Sequence, residues 1–239
     1  MIIELLIGIV ALLYMLGAIV VAIFSFYMRN RQNFTKKEHN NTQNKNDKNR
    51  VGIKQTCKGI MFAYVYGLAR YYSIFIGKIP SHAIRITFYR YILSMNISQN
   101  AVIYGGCEFR SPWNIFIGKS VIGNNCILDG RYGIRIDDDV CLGSDVYIWT
   151  AQHNVNDRHF STDGKTGPVN IKQYAWIASR STILPNINIG KGAVVASGSV
   201  VTKDCEDYGI YAGIPSKKIS NRTVDLEYET VNDMYWRFY

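Results

Sequence analysis

Charge is missing from the start of this 239-residue chain: between Ile2 and Met28 the single charged residue is Glu4. No basic residue precedes the apolar run and no small-residue cleavage site follows it, and a secretory signal needs both. Residues 1–28 are long enough to cross a bilayer as a helix, so they predict a single-pass membrane anchor. Cysteine pairing signals are also absent. Cys57, Cys107, Cys126, Cys141 and Cys205 form no C-x-x-C pair, and their odd number leaves one over in any disulfide framework. Buried free thiols are the better reading, and they agree with a cytoplasmic domain. Histidine is scarce. His39, His82, His153 and His159 include no H-x-x-x-H pair, and only the last two fall near the repeats described below, too few for a three-histidine zinc centre.

Residues 29–50 have almost no apolar side chains instead. They carry seven Lys or Arg, two acids and many Asn, a composition that cannot bury enough surface to order itself, and they predict a flexible basic tether. Lys and Arg beside a membrane span stay in the cytoplasm, which puts the N-terminus outside and the rest of the chain inside. Beyond the tether, 20 basic residues face 15 acidic ones. That excess is no nucleic-acid signature; it suits anionic lipid, a phosphorylated ligand such as coenzyme A, or simply a soluble surface. A second apolar stretch, Gly59 to Gly77, contains Arg70, whose insertion at mid-bilayer costs about 2.5–3.5 kcal/mol. Residues 51–96 therefore read as a helical segment that lies at an interface or caps a domain.

What the chain does have is a period of six. Ile171, Ile177, Ile183, Ile189, Val195 and Val201 recur without a slip, with Ala175, Ser181, Ile187, Ala193 and Ser199 four positions after the first five. Neither the 3.6 of a helix nor the 2 of a half-buried strand fits this spacing, whereas one short strand plus a turn does. Three units make a triangular coil, and stacked coils make a parallel β-helix. The same spacing holds at Ile97, Ile103, Phe109 and Ile115, and at Ile136, Leu142 and Ile148. Its phase breaks between Ile117 and Ile122, around Asp129 to Gly133, and for longest over the polar loop 152–168. Loops of that length are usually functional or disordered, which makes this one the first place to look for chemistry. His153 stands at its root on rigid coil, whereas His159 is six residues further in. Rigid support suits a general base, and imidazole is the side chain best poised to take a proton near neutral pH.

The runs Trp176-Ile177-Ala178-Ser179, Ile183-Leu184-Pro185, Ile189 to Val194, Gly198 to Asp204 and Ala212 to Lys217 resemble the second half of the hexapeptide-repeat acyltransferases, nearest the maltose and galactoside O-acetyltransferase type. Thr150-Ala151-Gln152-His153-Asn154 resembles that family's catalytic-histidine segment. The pattern Ile79 to His82, Leu128 to Arg131 and Ile148 to Thr150 is similar to a branch of capsule and exopolysaccharide acetyltransferases. The likeness covers roughly residues 97–220. It implies a left-handed β-helix, a homotrimer with sites between neighbouring coils, acetyl-coenzyme A as cosubstrate and no metal. It also implies roles. His153 is the general base, and Ser179 supplies an oxyanion N–H. Asp129 and Trp149 contact the acceptor, while Trp176, Ala178, Ser197, Thr202, Lys203 and Lys217 line the coenzyme site. For Asp129 the alternative is capping of a coil corner, and for Lys203 and Lys217 a solvated charge. Ala178 departs from the family's usual glycine, which disfavours a longer acyl chain.

Together these readings predict an acetyl-coenzyme A-dependent O-acetyltransferase at the cytoplasmic face of the cell membrane, acting on a polysaccharide precursor or lipid-linked sugar. The alternatives are the same chemistry on a nucleotide-sugar amine or an antibiotic hydroxyl, or a non-catalytic scaffold. The aromatic tail 221–239 carries no prediction beyond packing on the coil or on a neighbour.

Overall fold

The six-residue period closes into a parallel β-solenoid of about six turns with three helices at its foot. The computed structural model describes residues 2–38, 53–160 and 164–230. The first coil is β1 (Asn96–Ile97), β2 (Val102–Ile103) and β3 (Glu108–Arg110), and the second is β4 (Ile115–Ile117), β5 (Val121–Ile122) and β6 (Ile127–Asp129). The third is β7 (Ile134–Ile136), β8 (Cys141–Leu142) and β9 (Tyr147–Ile148). After the long loop come β10 (Val169–Ile171), β11 (Trp176–Ile177) and β12 (Thr182–Ile183), then β13 (Ile187–Ile189), β14 (Val194–Val195) and β15 (Val200–Val201). Strands stack in register onto three faces: β1-β4-β7-β10-β13, β2-β5-β8-β11-β14, and β3-β6-β9-β12-β15. The second face is extended by β16 (Gly209–Ala212) and the antiparallel β17 (Lys217–Asn221).

The repeat works because each aliphatic residue meets its copy one coil away. Ile177 pairs in register with Leu142 and Val195, and Ile183 with Ile148 and Val201, all at most 1% exposed. Each fully buried side chain of this size contributes about 1.5–3 kcal/mol. The small four-on residues fill the corners: Cys107, Cys126, Val146, Ser181 and Ser199 stack on the edge between second and third faces, essentially without exposure. Cys107, Cys126, Cys141 and Cys205 are free thiols, and Cys57 lies outside the described side chains.

Two of the three phase breaks, with the 3-10 turn Pro112–Asn114, fall on one edge, between the third face and the first. They are stitched together along the stack. Gly130 N–H donates to the Arg110 carbonyl (2.8 Å), Tyr132 N–H to the Thr150 hydroxyl (3.0 Å), and Gly167 N–H to the Thr150 carbonyl (3.1 Å). An antiparallel bridge between Ala151 and Thr166 pinches the long loop at its root.

The foot is formed by α1 (Ile2–Glu38), α2 (Ile53–Gly77) and α3 (His82–Tyr91). Within the segment 51–96, Ile53–Gly77 and His82–Tyr91 are helical. The tether differs, because α1 runs on through its first ten residues to Glu38, and its remainder with His39 lies outside the described residues. α2 ends where Gly77 presses on the first coil: its carbonyl accepts from Gly106 N–H (2.7 Å), and a Cβ there would stand 2.7 Å from the Cys107 carbonyl oxygen. α3 seals the open end of the coil. Fully buried Arg85 donates to the carbonyls of Ile79, Pro80 (2.8 Å) and Ile103 (3.1 Å), and His82 Nε2 accepts from Ile103 N–H (3.2 Å). One helix among the described residues, Glu4–Arg31, is long and apolar enough to cross a membrane, with mean hydropathy 2.8. Its second half is not free, since Val21 is buried against the foot and Phe24 packs edge-on to Trp113 (5.4 Å).

At the other end the chain turns back along the stack. Arg222 donates to the carbonyl of Tyr174 (3.0 Å), Tyr228 donates to the same oxygen (3.1 Å), and Lys119 pairs with Glu229 (2.6 Å). The tail's first part therefore packs on its own coil, and Val231–Tyr239 lies outside the described residues.

Candidate active site

His153 projects from the long loop's root and is exposed, yet its ring is held on two sides. It stacks on Phe160 with centroids 4.2 Å apart and planes 7° from parallel, and its Nδ1 lies 3.1 Å from the Phe160 carbonyl oxygen. A carbonyl can only accept, so Nδ1 carries a proton, and in the neutral ring the lone pair falls to Nε2. Gly164 makes the fold-back possible, because a Cβ there would collide with the backbone carbonyl of His153. His159 is exposed as well, and its backbone N–H donates to Asp157 Oδ1 (3.0 Å).

Ser179 lies elsewhere, on the edge between the second and third faces. With Ser144, Asp145, Arg180, Ser197 and Gly198 it lines an open groove of about 500 Å³. The Ser179 backbone N–H has no hydrogen-bond partner among the described residues, whereas the next one, Arg180 N–H, donates to the Ser144 carbonyl (2.9 Å). Gly143 packs beneath it so closely that a Cβ would stand 2.6 Å from both Ser179 N and Ser179 Oγ. Arg180 holds φ 62°, a left-handed turn conformation unusual for a residue with a side chain. It also lines a second hollow of about 350 Å³ with Asp145, Tyr147 and Thr182.

The remaining predicted residues separate by edge. Ala178 is 7% exposed just behind Ser179, and Trp176 stands 46% exposed on the outside of the second face. Lys217 begins β17 above the groove's edge, where Ser216 N–H donates to the Val200 carbonyl (2.8 Å) and Gly213 N–H to Ser199 Oγ (3.1 Å). Thr202 and exposed Lys203 fall instead on the loop's edge, where Lys165 Nζ reaches the Thr202 carbonyl (3.4 Å). They do not share the groove with Ser179. Trp149 lies on the third face under the Arg110 guanidinium, 5.0 Å from its ring centre, with Tyr147 beside it.

Asp129 has the geometry of a corner brace, the alternative left open above. It is fully buried, and its carboxylate is gripped by Arg131 through Nη2 (2.6 Å) and Nε (2.9 Å), while the Thr150 hydroxyl donates to its carbonyl (2.6 Å). The outward charge at this corner is Arg131, whose guanidinium is held protonated above its ordinary range chiefly by the hydrogen bond to Asp129. Nearby, Glu108 bridges Arg70 (2.7 Å) and Arg110 (2.8 Å); burial opposes its ionisation, but the two guanidinium partners prevail and hold it below the usual carboxylate range.

Sequence reasoning missed Phe160, Gly164, Gly143 and Arg180. Only the glycines left a signal, at corners where the period turns. Among the described residues no group of three His, Cys, Asp or Glu is placed to hold a metal.

No family model matches the chain. A putative acetyltransferase of Staphylococcus aureus (strain COL) is 36% identical over 124 residues, 51% of this chain and 62% of that protein. The chain thus spans somewhat under two thirds of the length of the curated relatives that it matches first. A hexapeptide-repeat-containing acetyltransferase from Vibrio cholerae, solved with acetyl-coenzyme A, superposes with a TM-score of 0.60 at 23% identity, over 68% of this chain and 90% of that one. A variant of AntD, an N-acyltransferase from Bacillus cereus, solved with dTDP and coenzyme A, gives 0.50 at 28% identity, over 54% and 74%. The chain is a β-solenoid with the fold of the hexapeptide-repeat acetyltransferases, and its relatives in sequence are putative acetyltransferases.

Proposed function

We propose that the protein is an acetyl-coenzyme A-dependent O-acetyltransferase that acylates a hydroxyl of a cell-envelope or capsular polysaccharide precursor. The observation that carries this reading is the contact of His153 Nδ1 with the Phe160 carbonyl, which leaves Nε2 of the neutral ring as the base. In the reaction Nε2 takes the acceptor's hydroxyl proton as that oxygen attacks the thioester carbon. The tetrahedral oxyanion is met by the free Ser179 N–H. The C–S bond then breaks, the coenzyme thiolate leaves with the proton from the imidazolium, and neutral His153 is restored. The departing thiol and the new ester balance the step without an acyl-enzyme.

His153 and Ser179 occupy different edges of one solenoid, so a complete site needs the loop of one copy against the groove of the next. A homotrimer pairs the loop edge of each copy with the groove edge of its neighbour. Trp176, Ala178, Ser197 and Lys217 are then placed to line the coenzyme along one copy, with Thr202 and Lys203 near the loop edge. Trp149 and Arg131, rather than Asp129 itself, meet the acceptor. The apolar helix α1 holds the enzyme at the cytoplasmic side of the cell membrane, where acetyl-coenzyme A and a lipid-linked or nascent glycan are both at hand. The test is thiol release from acetyl-coenzyme A with envelope glycans as acceptors. His153→Ala is expected to lower turnover by about a hundredfold or more, the contribution of a general base. Unchanged turnover would remove His153 from the mechanism, and a parent protein inert toward every glycan would remove the reaction.

A further inference from the structure

The second half of α1 lies along the foot of the solenoid. Phe24 meets both Phe62 of α2 (5.2 Å) and Trp113 of the coil (5.4 Å), and Arg29 reaches the Ser94 carbonyl (3.4 Å). Toward its start, Tyr14 bonds Tyr71 (2.7 Å) and packs tilted on Phe75 (6.0 Å). These pairs make α1 and α2 antiparallel neighbours, and both run under the coil. An unbroken helix that runs along the foot cannot also run away from it through a bilayer. Before Tyr14, residues 4–13 are exposed, a length of about 15 Å at 1.5 Å per residue against a hydrocarbon core of about 30 Å.

The second observation is the outer face of α2. Ser73, Arg70 and Tyr66 point to the coil, where they bond Phe109 N–H (2.7 Å), Glu108 and Ser111 (3.1 Å). At 100° per residue a flanking face carries Ile60, Tyr64, Gly67 and Ile74, all exposed, with Tyr64 at 73% and Ile60 at 66%. A helix that is apolar on its free face as well as its packed one needs a non-aqueous neighbour. Ile19, Ile23 and Phe26 of α1 and Ile84, Phe88 and Tyr91 of α3 are exposed as well. Arg29, Arg31 and Lys78 stand at the ends of these stretches. Aromatic and aliphatic side chains rimmed by cations match the boundary between acyl chains and anionic headgroups.

We propose that the three helices form a membrane-resting foot: α1 and α2 lie in the plane of one anionic leaflet, and the N-terminus stays on the solenoid's side instead of crossing. This rests on the membrane placement proposed above. It sets the solenoid upright on the leaflet, so the height of His153 and the groove above the headgroups is fixed by the coils beneath them.

Full-length protein in cells separates the cases. A short cysteine-bearing extension before Met1 is probed with a membrane-impermeant maleimide, with the unextended parent as background. In parallel, Tyr64→Cys carries an environment-sensitive dye in vesicles containing a quarter phosphatidylglycerol. The expected result is membrane-bound protein, labelled at the N-terminus only after permeabilisation, with blue-shifted dye emission quenched by shallow spin-labelled lipid. Labelling of intact cells would overturn the one-leaflet arrangement while leaving the membrane placement intact. Protein that is fully soluble without detergent would remove the placement itself. Water-like dye emission, or a shift that follows protein concentration rather than lipid, would assign the face to solvent or to a second copy and overturn the proposal.

Discussion

Gly143→Ala is the most direct probe of how the fold builds the groove. The added Cβ would lie 2.6 Å from Ser179 N, 2.6 Å from Ser179 Oγ and 2.9 Å from its Cα. Ordinary contact begins near 3.4 Å, so the Ser179 backbone must give by close to 1 Å. Overpacking of this kind costs about 1–3 kcal/mol of stability, and a donor misplaced by 1 Å costs about a hundredfold in turnover. Gly118→Ala supplies the comparison, since its Cβ would meet Asp138 and stand 2.8 Å from the Asp137 carbonyl carbon, at a corner remote from the groove. Both variants are expected to lower the urea midpoint by similar amounts. Only Gly143→Ala is expected to lower kcat in the thiol-release assay, with KM for the acceptor little changed. Equal losses of activity in the two variants, or parent-like kcat in Gly143→Ala, would refute the assignment of Ser179 N–H to the oxyanion.

Two further outcomes follow from the packing. Ile177→Ala empties a fully buried position between Leu142 and Val195 and is expected to cost about 2–5 kcal/mol, read as a shift in urea midpoint at constant slope. His82 titrates below its ordinary value because it is buried and lies near Arg85 and Arg90, and its Nε2 must stay unprotonated to accept from Ile103 N–H. Its folded value is depressed, so the unfolded chain binds the extra proton first. The contribution of His82 is complete above the unfolded value of about 6.5 and is lost as pH falls below it. Denaturant midpoints measured from pH 8 to pH 5 are expected to drop over that window in the parent and to drop less in His82→Asn. A slope that persists unchanged in the variant would assign the titration to another group.

The period alone was enough to place the strands. Each of Ile171, Ile177, Ile183, Ile189, Val195 and Val201 is buried on the face that its spacing assigns, because a coil of fixed length permits no other register. The loop and its root were legible for the same reason: an interrupted ruler marks its own interruption. The corner brace at Asp129 was harder. Asp-Gly-Arg in a turn has one sequence whether the carboxylate faces out or back to its own Arg131, and the bidentate bond to Arg131 is visible only in the fold. The extent of α1 was misjudged because polar composition argues against independent order, and residues 29–38 are helical as an extension of a helix that is already formed.

By itself the sequence determined the solenoid, its core, its free thiols and the position of His153, since all of these depend on local spacing and side-chain character. Tertiary structure decided what the spacing could not carry. It folded Phe160 back under His153 and so set the tautomer, it put Ser179 and His153 on separate edges, and it laid α1 along the foot. Each is a contact between segments whose separation in sequence follows no period, so only closure of the chain in three dimensions brings them together or holds them apart.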